Sequence, residues 1–195
     1  LRVNISGFHA MALRRLVSPR IGTAISVPPW PWHRGRARLY AVRVDFHLAE
    51  LNIARISEPL DTEESAEFVA ALGPVNTLAE LTPGFVWRLT DQDGQSSSYV
   101  PLEGVDDPQV IVNYSIWTDM ESLHHFMFRS GHAMYLRRRR EWFDTHVELD
   151  TVCWWILAGT IPSLAEAYER LGHLREQGPF QTGWLFNEPL DRPDV

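Results

Sequence analysis

From residue 40 onward the apolar positions fall first into alternating runs, then into stripes three and four residues apart, and the alternation of these two periods predicts the elements. Residues 40 to 56 have the length and alternation of a strand, with Leu51 and Ile53 on one face and Glu50, Asn52 and Ala54 on the other. Asp61, with Glu64 at the third helical position, reads as a cap. The stripe Phe68, Ala71, Leu72, Val75, Leu78 and Ala79 marks the buried side of the helix behind it, with Pro74 as a kink and Thr82-Pro83-Gly84 as its end. Phe85 to Thr90 and Val110 to Trp117 alternate as strands, separated by a loop rich in Gly, Ser, Asp and Pro. Thr118 and Glu121 have the spacing of a capping box for a second helix whose stripe is Met120, Leu123, Phe126 and Met127. Ser130-Gly131 breaks it before a further stripe of Tyr135, Leu136, Arg139 and Trp142. Leu149 to Ala158 is a strand apolar on both faces. A last capping box, Ser163 with Glu166, opens a helix through Leu171 and Leu174 that Gly178-Pro179 stops, and Trp184 to Phe186 reads as an edge strand or arm.

The order β, α, β, β, α, β is that of the split βαβ, or ferredoxin-like, α+β unit: an antiparallel sheet with helices on one face, here with an extra C-terminal helix. The face opposite the helices is expected to carry Asn52, Arg88, Asn113, Ser115 and Trp117 with one side of Val152, Trp154 and Ile156, too apolar to stay wet and too polar for a plain core. It is therefore expected to line a cavity closed by a second sheet, most simply that of a two-fold partner.

Composition sharpens this in three places. All eighteen basic residues are Arg, and seven of them stand in residues 1 to 38 without one acid. The remaining eleven share residues 39 to 195 with all 25 acids, a balance of −14. An acidic body argues against duplex nucleic acid as a partner, since phosphate recognition needs a basic face. The basic first 38 residues show little periodicity and read as a poorly ordered extension to a domain over 39–195. A translated region upstream of the true start, a basic docking arm and a targeting segment are its competing explanations. Finally, the single Cys153 excludes a disulfide framework and no apolar run approaches the roughly 20 residues of a membrane span, so a cytoplasmic location is expected, with no membrane partner.

Four segments carry a resemblance to a known family: Leu48 to Arg55, Pro83 to Leu89, Arg129 to His132 with Arg137 to Phe143, and Trp154-Trp155 before Ala158-Gly159 and Pro162. Together they resemble the DUF3291 family over about residues 46 to 187. The resemblance implies a homodimeric α/β barrel related to the antibiotic-biosynthesis monooxygenases. More loosely, the chain is similar to the heme-degrading monooxygenases of that superfamily, which use an Asn on the first strand and a Trp and a His on the second helix. Asn52 falls at the Asn position and His132 near the His position, whereas Phe126 stands where the Trp would be.

These residues define the expected site. His132 is the candidate to move a proton, or to ligate iron if heme binds. Asn52 either positions substrate or oxygen or is satisfied by Arg88 or Ser115. Trp117, Phe126, Arg88, Asn113, Ser115, Trp154 and Arg129 are expected around the ligand. The four consecutive arginines 137 to 140 are expected as a solvated face pairing with Glu141 and Asp144, and one of these arginines would meet an anionic group of a ligand at the cavity mouth. The leading expectation is a cavity for a hydrophobic, aromatic small molecule with monooxygenase- or isomerase-type chemistry and no cofactor. Heme binding through His132 and a non-enzymatic ligand-binding module are the alternatives.

Overall fold

A computed structural model describes residues 44–144 and 150–193. The reading of residues 1–38 lies outside them. Four strands, β1 (Phe46–Arg55), β2 (Phe85–Arg88), β3 (Val110–Trp117) and β4 (Thr151–Leu157), form one antiparallel sheet in the order β2-β3-β1-β4. Four helices accompany them: α1 (Ala66–Leu81), α2 (Met120–Arg129), α3 (His132–Arg138) and α4 (Leu164–Gln177). This is the ferredoxin-like α+β arrangement that the element order implies. Among the described residues no helix is long and apolar enough to cross a membrane.

The local signals hold to within a few residues, and each departure has a cause. Helix α1 begins at Ala66 rather than behind Asp61, because the Ser65 hydroxyl donates to the Glu58 carbonyl and the chain turns once more before the helix starts. Helix α2 is capped not by Thr118 but by Asp119, whose carboxylate accepts the Ser122 N–H at 2.8 Å while the Thr118 hydroxyl donates to the same carboxylate. A charged acceptor outcompetes a hydroxyl for an open helix N–H. The Ser163 cap of α4 is as expected, its hydroxyl accepting the Glu166 N–H at 3.1 Å. Trp184 pairs with Cys153 along the free edge of β4, the arm anticipated there.

Pairing register decides what each face carries. Asn52 opposes Asn113 and Thr151, Glu50 opposes Ser115 and Cys153, and Leu48 opposes Trp117 and Trp155. Since side chains alternate, these rows share one face and the rows through Ala49, Leu51 and Ile53 share the other. A correction follows. The Asn52 face is the one beneath α1, α2 and α3, as the cavity between them shows. The other face is closed within the same chain by α4, whose Ala167, Leu171 and Leu174 are fully buried. Among the described residues each face is thus covered by helices of the same chain. Trp154 belongs to this second face, opposite Ala49, where it stacks on Tyr114 and lies under the Arg170 guanidinium at 5.4 Å.

Candidate active site

Between the sheet and helices α1 to α3 lies a cavity of about 350 Å³. Its two walls differ in chemistry. The helices present Phe68, Leu72, Val75, Phe126, Met127 and Tyr135, an apolar and aromatic surface. The sheet presents Glu50, Asn52, Asn113, Ser115 and Thr151, with Ser96 to Ser98 at one side. Apolar bulk against a few convergent polar groups is the usual make-up of a small-molecule site.

Glu50 is the residue that the sequence reading passed over. It sits in the central strand β1, is 4% exposed, and accepts a hydrogen bond at Oε2 from the Ser115 hydroxyl at 3.1 Å. Burial pushes its carboxyl up from the ordinary 4.5 to about 7; the Ser115 bond opposes this and the negative charge of Asp150 adds to it. Among the described residues none donates to Oε1, although the side chain lines the cavity. The result is a carboxyl with one oxygen held and the other open to a ligand, divided near neutral pH between its acid and base forms.

Asn52 is oriented by a second chain of bonds. The Thr151 hydroxyl donates to Asp150 Oδ1 at 2.8 Å, so Thr151 Oγ1 must accept from Asn52, which fixes the amide with Nδ2 toward Thr151 at 2.8 Å. Its partners are therefore Thr151 and the Asp150 carbonyl rather than Arg88 or Ser115. Among the described residues nothing donates to Asn52 Oδ1, so this atom is an acceptor offered to a hydroxyl or N–H.

His132 owes its place to the α2–α3 break. The Ser130 hydroxyl donates to the Phe126 carbonyl, ending α2, and accepts the His132 N–H that begins α3. The imidazole then lies on the Phe126 ring at 4.7 Å between centroids, and Phe126 in turn stacks on Trp117 at 5.2 Å. Burial lowers the proton affinity of His132, and a long contact of Nδ1 with the Met127 carbonyl opposes this. A carbonyl only accepts, so the proton resides on Nδ1 in that contact and Nε2 is left as an acceptor.

The expected residues thus divide. Asn52, Asn113, Ser115, Phe126 and His132 line the cavity together. Trp117 stands behind them, its Nε1–H donating to Ser115 Oγ at 2.9 Å. Three expectations need correction. Trp154 is on the opposite face because register sets it against Ala49. Arg88 is in the Ser115 row, but its guanidinium turns away to Glu80 and the Gln95 carbonyl. Arg129, in the last turn of α2, is exposed and outside the cavity lining. Of the arginine run, Arg139 reaches the cavity, whereas Arg138 is engaged by Glu67 and Glu141. Arg55, also at the cavity, is occupied by Asp107, Asp144 and Gln109. Among the described residues there is no group of three or more His, Cys, Asp or Glu suited to a metal ion.

The profile of a family described as "Domain of unknown function (DUF3291)" matches residues 47–195. No curated protein matches the sequence. Two crystal structures of SnoaB, a cofactor-independent oxygenase from Streptomyces nogalater, are similar, one of them of a mutant. They are 15% and 16% identical, each alignment covers 60% of this chain and 96% of that one, and the TM-scores are 0.38 and 0.37. At that distance they carry no weight beside the sheet order, which stands on its own pairing.

Proposed function

Given that the chain belongs to the DUF3291 family, we propose that its cavity binds a largely apolar, ring-bearing small molecule with hydroxyl groups, and that Glu50 removes a proton from it. The chemistry that follows is oxidation by dioxygen or isomerisation, without a bound cofactor. One observation carries this reading: a wholly buried carboxyl, pushed up to about 7, at the floor of a cavity with one oxygen unengaged.

The roles follow from the donors and acceptors. Asn52 Oδ1 accepts a ligand hydroxyl and fixes its orientation. The aromatic wall of Phe68, Phe126 and Tyr135 takes the ring and excludes water, which strengthens every polar contact at the floor. Glu50 Oε1 takes the proton, and the neutral His132 Nε2 is a second acceptor through which it can leave. The electron-rich anion left behind either gives electrons to dioxygen or takes a proton back at another carbon.

Hydroquinones of one to three fused rings are the first probes, each passing two electrons and two protons to dioxygen to give a quinone and hydrogen peroxide. Quinone formation above the uncatalysed rate is expected for at least one of them, and Glu50→Gln is expected to lower it by about a hundredfold or more. A rate untouched by Glu50→Gln removes Glu50 from the chemistry. A His132-dependent absorbance band on adding hemin would instead favour iron ligation.

A further inference from the structure

Glu50 is held by a chain of hydrogen bonds whose direction is fixed at its far end. An indole N–H only donates, so Ser115 Oγ must accept from Trp117 Nε1 at 2.9 Å. A serine hydroxyl has one proton. With that acceptance made, the proton points to Glu50 Oε2 at 3.1 Å. Trp117 is itself immobile: it is 1% exposed and clamped between Phe85, edge-on at 5.3 Å, and Phe126, stacked at 5.2 Å. All three residues are buried, where such bonds are stronger than in water.

We propose that Ser115 and Trp117 are positioning residues that bind Oε2 of Glu50 in a fixed direction, and thereby select Oε1 as the atom that meets the ligand and set the pH at which it can accept a proton. This deepens the proposed function and rests on it. The donor favours the ionised carboxylate, against the burial that favours the acid.

The other charged and titratable groups around Glu50 are accounted for by element. From β4 come Asp150, just before the strand, whose negative charge opposes the ionisation of Glu50, and Cys153, the direct neighbour of Glu50 in register, whose thiol is pushed up by burial and by the Glu50 charge. From β2 comes Arg88, neutralised by Glu80. Helix α3 contributes His132 and Tyr135, and Arg139 follows it; at the far side Arg55 is paired with Asp144. None of these is bonded to Glu50, so the Ser115 hydroxyl is the one donor on the carboxyl among the described residues.

The test is the titration of Glu50 itself in the ligand-free protein, read from ¹³C-glutamate carboxyl resonances with the Glu50→Gln spectrum subtracted. Ser115→Ala is expected to raise the midpoint by about one pH unit, Trp117→Phe by less, and Ser115→Thr, which keeps the hydroxyl, is expected to restore it. A midpoint unmoved in a folded Ser115→Ala protein overturns the proposal. Should that variant not fold, an unmoved midpoint in Trp117→Phe overturns it equally. No substrate is needed, so this outcome is independent of whether any hydroquinone turns over: a failed relay leaves the proposed chemistry open, and failed turnover leaves the relay intact.

Discussion

Glu50→Gln is expected to stabilise the protein by on the order of 3 kcal/mol above pH 7 and to leave it nearly unchanged below pH 4.5. Below 4.5 the carboxyl is protonated in both the folded and the unfolded chain, and Gln is its neutral isostere. Between 4.5 and about 7 the unfolded chain ionises while the folded one keeps its proton, so the wild type loses about 1.4 kcal/mol for each pH unit. Above 7 both forms are ionised and the loss is complete. His132 works in the opposite direction: its folded form holds the proton less tightly than the unfolded chain, so stability falls as pH drops below 6.5. Both proteins share His132, and the difference between them isolates Glu50. Urea unfolding of the pair from pH 4 to 9 measures it, and a difference that does not grow between pH 4.5 and 7 contradicts the account. A buried carboxyl that costs stability at working pH and is nonetheless present is what a site with a chemical task looks like.

The second large effect lies on the far face of the sheet. Leu171 is 0% exposed, in a layer where Leu174, Ala167 and the strand residues Leu51, Val112, Tyr114 and Val152 are equally sealed. Leu171→Ala is expected to cost about 2 to 5 kcal/mol, with a correspondingly lower melting temperature, because a rigid sheet cannot collapse into the space left by the missing carbons. The cost is expected to be independent of protein concentration, since α4 covers this face from within the same chain. A melting temperature that rises steeply on concentrating the protein would mean that a second copy shares the layer.

What the sequence disclosed follows the range over which each signal acts. Strand β3 was legible end to end because alternation from Val110 to Trp117 is local, and α4 because Ser163 and Gly178 mark its two ends. That Asn52, Asn113 and Ser115 share a face was legible too, by parity. Which face the helices cover was not. Parity groups side chains but does not say where α1 and α4 go, and the destination of α4 is set by packing with strands distant in sequence. Trp154 was misplaced for the same reason, since its side depends on the register of β4 with β1 and not on its own neighbours.

Glu50 carried a signal of its own. An acid between Ala49 and Leu51 in a strand shares the parity of Asn52, and so lies on the face expected to line the cavity. His132 stacks on Phe126, whose flat ring supports the imidazole.

The account depends on Glu50 titrating near neutral pH, well above the ordinary carboxylate range, while facing the cavity. Its carboxyl resonance in uniformly ¹³C-glutamate-labelled protein, identified by its loss in Glu50→Gln, measures this directly. A midpoint near 7 is expected; a midpoint near 4.5, the ordinary value for an exposed glutamate, would contradict it.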